Sequence, residues 1–147
     1  MPVGADAVAE ARPFQVELRP VVRTYDIDFA GIVSNIVYIR WLEDLRFAVL
    51  HEYFPLDEQL ARGVTPVLLS TDIQYLRTIR LFQQPIARMW IADVGRVKWT
   101  VEAEIVVEDV VSASARQTLA TINLGTLRPL PVSSRFRQLF QEHRDPR

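Results

Sequence analysis

Residues 23–46 gather the groups of this chain that can do chemistry: Asp26, Asp28, Ala30-Gly31, Ser34 and Asn35, followed by a long apolar run. Ala30-Gly31 gives the backbone between the aspartates and that run a place to bend sharply. A carboxylate in such a loop can lie beside the free N–H groups that open a helix. There it can attack a carbonyl, or activate water to do so, while the amide donors stabilise the oxyanion. Asp28 is the candidate catalytic carboxylate, and the competing reading is a turn aspartate or a charge at a helix start. Asp26 reads better as a partner for a loop hydrogen bond. Asn35 can be a cap or a catalytic amide.

Other chemistries find little support. The chain has 147 residues and no cysteine, which removes thiolate nucleophiles, disulfides and zinc–thiolate sites. Its two histidines are His51, late in the apolar run, and His143, in a polar tail, so neither a metal site nor a Ser-His-Asp triad is expected. Ser34 has no neighbouring His or Lys to activate it. A net charge of −1 gives no electrostatic case for nucleic acid or an acidic membrane surface. No apolar run approaches the roughly 18 residues of a membrane span. The opening Met1–Pro13 lacks the basic and apolar regions of a signal peptide. Together with the missing cysteines this fits the cytoplasm.

The elements that must hold the candidate site follow from periodicity. Residues 1–13 read as a disordered arm ahead of one domain over residues 14–143. Phe14, Val16 and Leu18 alternate with polar residues, predicting a half-buried strand that ends near Tyr25, with Pro20 placing it at an edge or a bulge. A helix is predicted over 35–50, capped by Ser34 or Asn35. Its main apolar stripe is Tyr38, Trp41, Leu42, Leu45 and Val49. Ile36, Ile39, Phe47 and Leu50 form a second side, which predicts burial around most of its circumference. A helical turn over 56–62 ends at Gly63. Strands are predicted over 65–80, 86–94, 98–108 and 112–127, and a short amphipathic helix over 133–143. The turn residues Gln84-Pro85, Val94-Gly95-Arg96 and Glu108-Asp109 separate consecutive strands, so antiparallel pairing is expected. Apolar residues on both faces of the second and last strands imply that another subunit covers part of the sheet.

The segment Asp26-x-Asp28-x-x-Gly31-Ile32-Val33, with Tyr38, Arg40-Trp41 and Glu43-x-x-Arg46 behind it, resembles the hotdog-fold acyl-CoA thioesterases of the 4-hydroxybenzoyl-CoA thioesterase and YbgC-like group. Asp72-x-x-Tyr75-Leu76-Arg77 and Leu127-Arg128-Pro129-Leu130-Pro131 look like that group too, and the likeness runs from about Phe14 to Phe140. The spacing Ile32 to Trp41 also resembles the helix start of acyl-acyl-carrier-protein thioesterases. The resemblance implies an α+β hotdog fold: a five-stranded antiparallel sheet wrapped around one long buried helix, in a homodimer or homotetramer. It implies hydrolysis of an acyl-CoA to free acid and thiol. Asp28 takes the place of nucleophile or general base, and the N–H of Asn35 that of the donor to the thioester carbonyl. Gly31 matches the loop glycine; Ile32, Ser34 and Tyr38 complete the substrate-binding set. No cofactor is implied, coenzyme A being part of the substrate, and Arg77, Arg80 and Arg88 are candidate partners for its phosphates. Many members of the YbgC-like group carry a histidine where this chain has Asn35, and the carrier-protein type carries one where it has Ile32. That departure keeps two alternatives in view: a carrier-protein thioesterase of a biosynthetic pathway, and a non-catalytic acyl-CoA-binding subunit.

Overall fold

A computed structural model of the chain describes residues 12–145. The expected N-terminal arm lies outside them, except for its last two residues, and these are anchored. Arg12 pairs with Glu104 at 2.8 Å and lies 4.0 Å over the Trp90 ring, and the Pro13 carbonyl accepts the N–H of Ile91.

Six strands form one antiparallel sheet: β1 (Val16–Leu18), β2 (Val64–Tyr75), β3 (Ile86–Val94), β4 (Lys98–Val107), β5 (Val110–Asn123) and β6 (Pro129–Leu130). The order is β1-β3-β4-β5-β2, with β6 added on β5 beside Thr121 and Ile122. The expected five strands are therefore joined by a sixth of two residues. The first strand is much shorter than predicted, because after Pro20 the chain leaves the sheet and enters a 3-10 turn, Thr24–Asp26. The β4–β5 hairpin turns on Glu108 and Asp109, both in the left-handed region (φ 51° and 63°), the backbone of a tight primed turn.

The helix α1 runs Asn35–Tyr53; α2 (Leu56–Ala61) follows and ends at Gly63, whose φ of +77° only glycine adopts without strain. The last helix, α3 (Ser134–Arg144), closes the chain. One face of α1 packs on the sheet through Val37, Tyr38, Trp41, Leu42, Leu45 and Val49. Each of these large side chains contributes about 1.5–3 kcal/mol by leaving water. Against them stand Ala87, Met89, Ile91, Val101, Ala103 and Ile105 of the central strands. The second apolar side of α1 is not buried in the subunit: Ile36, Ile39 and Phe47 are exposed. Periodicity reports which residues avoid water, and it cannot say whether their cover comes from the same chain. Among the described residues the outer edge of β2 carries no further strand, and β2 exposes Leu68, Leu69 and Tyr75. No helix among the described residues is long and apolar enough to cross a membrane.

Candidate active site

The loop ahead of α1 is a narrow hairpin held by its own backbone. Ser34 N–H donates to the Asp26 carbonyl at 2.9 Å, Ile27 bridges Val33, and Asp28 N–H donates to the Ile32 carbonyl at 2.9 Å. Gly31 N–H closes the turn on the Asp28 carbonyl at 3.0 Å, with Gly31 at φ +78°. The returning limb is tied down by the N–H of Val33 on the Ile79 carbonyl, 2.8 Å, and by a bridge between Ile32 and Arg80. Ile79 is fully buried, so the limb hangs from the core.

Asp28 is half-buried, and its Oδ1 accepts the N–H groups of Ala30 (2.8 Å) and Ile32 (3.4 Å). The carboxylate is thus fixed from one side by its own turn, while Oδ2 has no protein donor among the described residues. Asp26 does the loop work expected of it: buried at the turn, its Oδ2 accepts the Arg23 N–H at 2.8 Å.

Ser34 is the N-cap of α1, but its side chain makes no capping hydrogen bond. Val37 N–H reaches the Ser34 carbonyl, whereas the N–H groups of Asn35 and Ile36 have no partner among the described residues. Open donors at a helix start form a site for negative charge. The hairpin carries Asp28, Gly31, Ile32, Ser34 and the Asn35 amide within residues 28–35: Asp28 faces Ile32 across it, and Asn35 follows Ser34 at its base, beyond the bond to the Asp26 carbonyl.

Tyr38 is placed differently from a surface contact. It is buried one turn into α1, edge-on to Trp41 (5.4 Å) and to Tyr75 (5.1 Å), and burial, with Tyr75 nearby, raises its phenol pKa. Tyr75 is the residue whose role the sequence did not reveal. From the end of β2 its hydroxyl donates to the Asn35 carbonyl at 3.3 Å and pins the helix start. The Asp72-x-x-Tyr75 spacing was the available signal. Of the three candidate phosphate partners, Arg88 is engaged elsewhere, bridging Glu17 (2.9 Å) and Glu104 (3.3 Å). Arg77 and Arg80 are exposed, and Arg80 touches the hairpin as the bridge partner of Ile32. His51 stacks on Phe47 late in α1, about 24 Å of helix rise from Asn35, and His143 stacks on Phe14; neither serves Asp28.

A sizeable cavity lies elsewhere. It has a volume of about 440 Å³ and sits under the C-terminal half of α1, between α2, α3 and the sheet, with no residue of the 26–35 hairpin in its wall.

The sequence matches the Thioesterase-like superfamily over residues 22–140. A search of the curated proteins finds no match. Similar solved structures include a DHNA-CoA thioesterase from Staphylococcus aureus, with a TM-score of 0.78 and 15% identity over 87% of this chain and 89% of that one. A predicted thioesterase from Bacillus stearothermophilus gives 0.74 at 25% identity, covering 88% and 96%. The probable thioesterase YbaW from Escherichia coli gives 0.76 at 22% identity, covering 89% and 98%. The antiparallel sheet and the helices packed on it share the hotdog-type architecture of these proteins.

Proposed function

Because this chain belongs to the Thioesterase-like superfamily, we propose that it hydrolyses an acyl-CoA, with Asp28 as nucleophile or general base and the Asn35 N–H as the donor to the thioester oxygen. One observation supports this reading above the others: a carboxylate with one oxygen held by the Ala30 and Ile32 amides, in the hairpin that runs straight into a helix whose first donors are unpartnered. Charge growing on the carbonyl oxygen in the transition state is favoured by such a donor and by the helix dipole behind it. A donor of this kind is worth about 2.7–4 kcal/mol in the transition state. The leaving thiolate needs little acid assistance, since a thiol ionises near pH 8.5, so a site without histidine suffices. In this reading the exposed Arg77 and Arg80 would pair with the phosphates of coenzyme A.

The functional unit in this reading is at least a dimer. Phe29 beside Asp28, Ile36, Ile39 and Phe47 along α1, and Leu68 and Leu69 of β2 are exposed apolar side chains that a second subunit would cover. The test is release of free thiol from a panel of acyl-CoAs, read alongside sedimentation of the active species. Turnover lost in Asp28→Asn supports the assignment; turnover at the wild-type level in that variant removes it.

A further inference from the structure

The cavity beneath the C-terminal half of α1 has an unusual wall. Its sheet side is apolar, built by Met89, Ile91, Trp99, Val101 and Leu119, yet the charged residues that reach it are Arg46, Arg62 and Arg135 against Glu58 alone. Its volume of about 440 Å³ falls in the range of small-molecule sites, roughly 300–1,000 Å³.

Arg46 decides the character of the site. Its Nη1 donates to Gln117 Oε1 at 2.9 Å, and Gln117, itself fully buried, passes on to Thr71 Oγ1 at 3.0 Å. Among the described residues the one carboxylate within 4 Å of the guanidinium is Glu43, 3.9 Å from Nη2 and largely in solvent, a weak pairing. Five N–H donors in a rigid fork are thus met by one hydrogen bond among the described residues. Burial accordingly lowers the pKa of this side chain, with Glu43 compensating only in part. A half-buried guanidinium beside an apolar cavity, with most of its donors unmet, suits an anion, and its fork suits a carboxylate. Arg62 and Arg135 are exposed and in no ion pair among the described residues, so they add positive potential at the same site.

We propose that this cavity binds an amphipathic carboxylate, a free acid whose hydrocarbon chain lies against Met89, Ile91 and Val101 and whose carboxylate pairs with Arg46. The site is separate from the hairpin: Arg46 follows Asn35 by eleven residues, about 16 Å of helix. Binding there needs no thioester chemistry and does not rest on the hydrolase reading.

The experiment is calorimetric titration of the full chain with decanoate, decanol and decyltrimethylammonium. Decanoate is expected to bind at least tenfold more tightly than decanol, and the ammonium not to bind. Arg46→Gln should bring decanoate to the level of decanol while decanol affinity stays within twofold, which also reports an intact fold. Leu139→Trp, reducing the cavity from α3, should weaken both. Should Arg46→Gln not fold, the charge-reversed ligand and the surface variant Arg62→Ser with Arg135→Ser decide, the latter expected to weaken decanoate severalfold. Equal affinity for decanoate and decanol, no decanoate binding, or binding untouched by Leu139→Trp overturns the proposal. Competition between decanoate and a decanoyl thioester on the Asp28→Asn chain would reassign the cavity as the acyl end of the substrate site and overturn its reading as a separate one.

Discussion

The two ends of α1 are built on opposite principles. At its start, the 26–34 hairpin is held by backbone hydrogen bonds and leaves donors and an aspartate oxygen open. At its end, aromatic side chains lock together: Phe14 meets Tyr53 at 5.0 Å, Phe54 at 5.2 Å and His143 at 4.2 Å, and Phe54 meets Phe136 at 4.8 Å. Tyr53 adds a hydrogen bond from its hydroxyl to the Gln15 carbonyl. Backbone geometry fixes atoms closely while contributing little net burial; side-chain packing contributes stability and tolerates a cavity. In the proposed reading chemistry falls to the start of the helix, and stability, with room for an amphipathic ligand, to its end.

The widest separation of the two should come from one substitution at each end. Asp28→Asn keeps an oxygen that can accept from Ala30 and Ile32, so the turn survives while the negative charge is lost. Turnover of acyl-CoA is expected to fall by about 10³-fold or more, with the melting temperature almost unchanged. Phe14→Ala should do the reverse. Removing a ring that is 5% exposed is expected to destabilise by about 3–5 kcal/mol in urea unfolding, while the folded fraction keeps its turnover number. A Phe14 variant that loses turnover without losing stability would erase the division.

A smaller effect tests the hairpin alone. An added Cβ at Gly31 meets nothing within 4 Å, so Gly31→Ala isolates the strain of φ +78° from any clash. The expected cost is about 1–2 kcal/mol, and because the strain sits in the turn that carries Asp28, kcat should fall as well. Unchanged kcat would show that the carboxylate does not depend on the turn's shape.

Between these two regions runs the limit of what was legible from sequence. The limits of β3 and the first residue of α1 were readable because turn chemistry and periodicity coincide there: Val94-Gly95-Arg96 ends one strand and Asn35 begins the apolar period. The Asp28 hairpin was readable because its residues are neighbours in the chain. The strand faces were less so. Register shifts at Leu68/Ser70, Ile91/Asp93 and Ile105/Val106 break the alternation, so Val67 and Leu69 do not share the face that period two assigns them. The cavity was invisible, since Arg46, Trp99 and Leu139 meet only when three distant segments fold together. The exposed side of α1 was misread as core because periodicity reports apolar positions without saying what covers them.

Acid sharpens the contrast modestly from the packed side. The Arg88 hydrogen bond holds the Glu17 carboxyl below its ordinary value, and this pair ties β1 to β3 next to Phe14. A folded-state pKa that is lowered contributes stability above the ordinary carboxylate value of about 4.5, and that contribution disappears as pH falls through the lowered one. Wild type should therefore melt slightly higher than Glu17→Gln at neutral pH, and the two should converge in acid.

The smallest expected effect separates two serines in the same structural position. Ser34 and Ser133 are the N-caps of α1 and α3, both extended, at φ −65° and −64°. Ser133, in the wall of the cavity, accepts the Phe136 N–H at 3.1 Å, whereas Ser34 accepts nothing from its helix. Ser133→Ala should thus cost about 1 kcal/mol, and Ser34→Ala only a few tenths at most, as measured by paired urea titrations. A Ser34 hydroxyl turned inward would accept from Ile36 or Val37, so leaving it unturned keeps the Ile36 donor open while Asn35 stays open in either case. Equal losses from the two serines would mean that Ser34 caps α1 after all, and the start of that helix would then be closed in the same way as the start of α3.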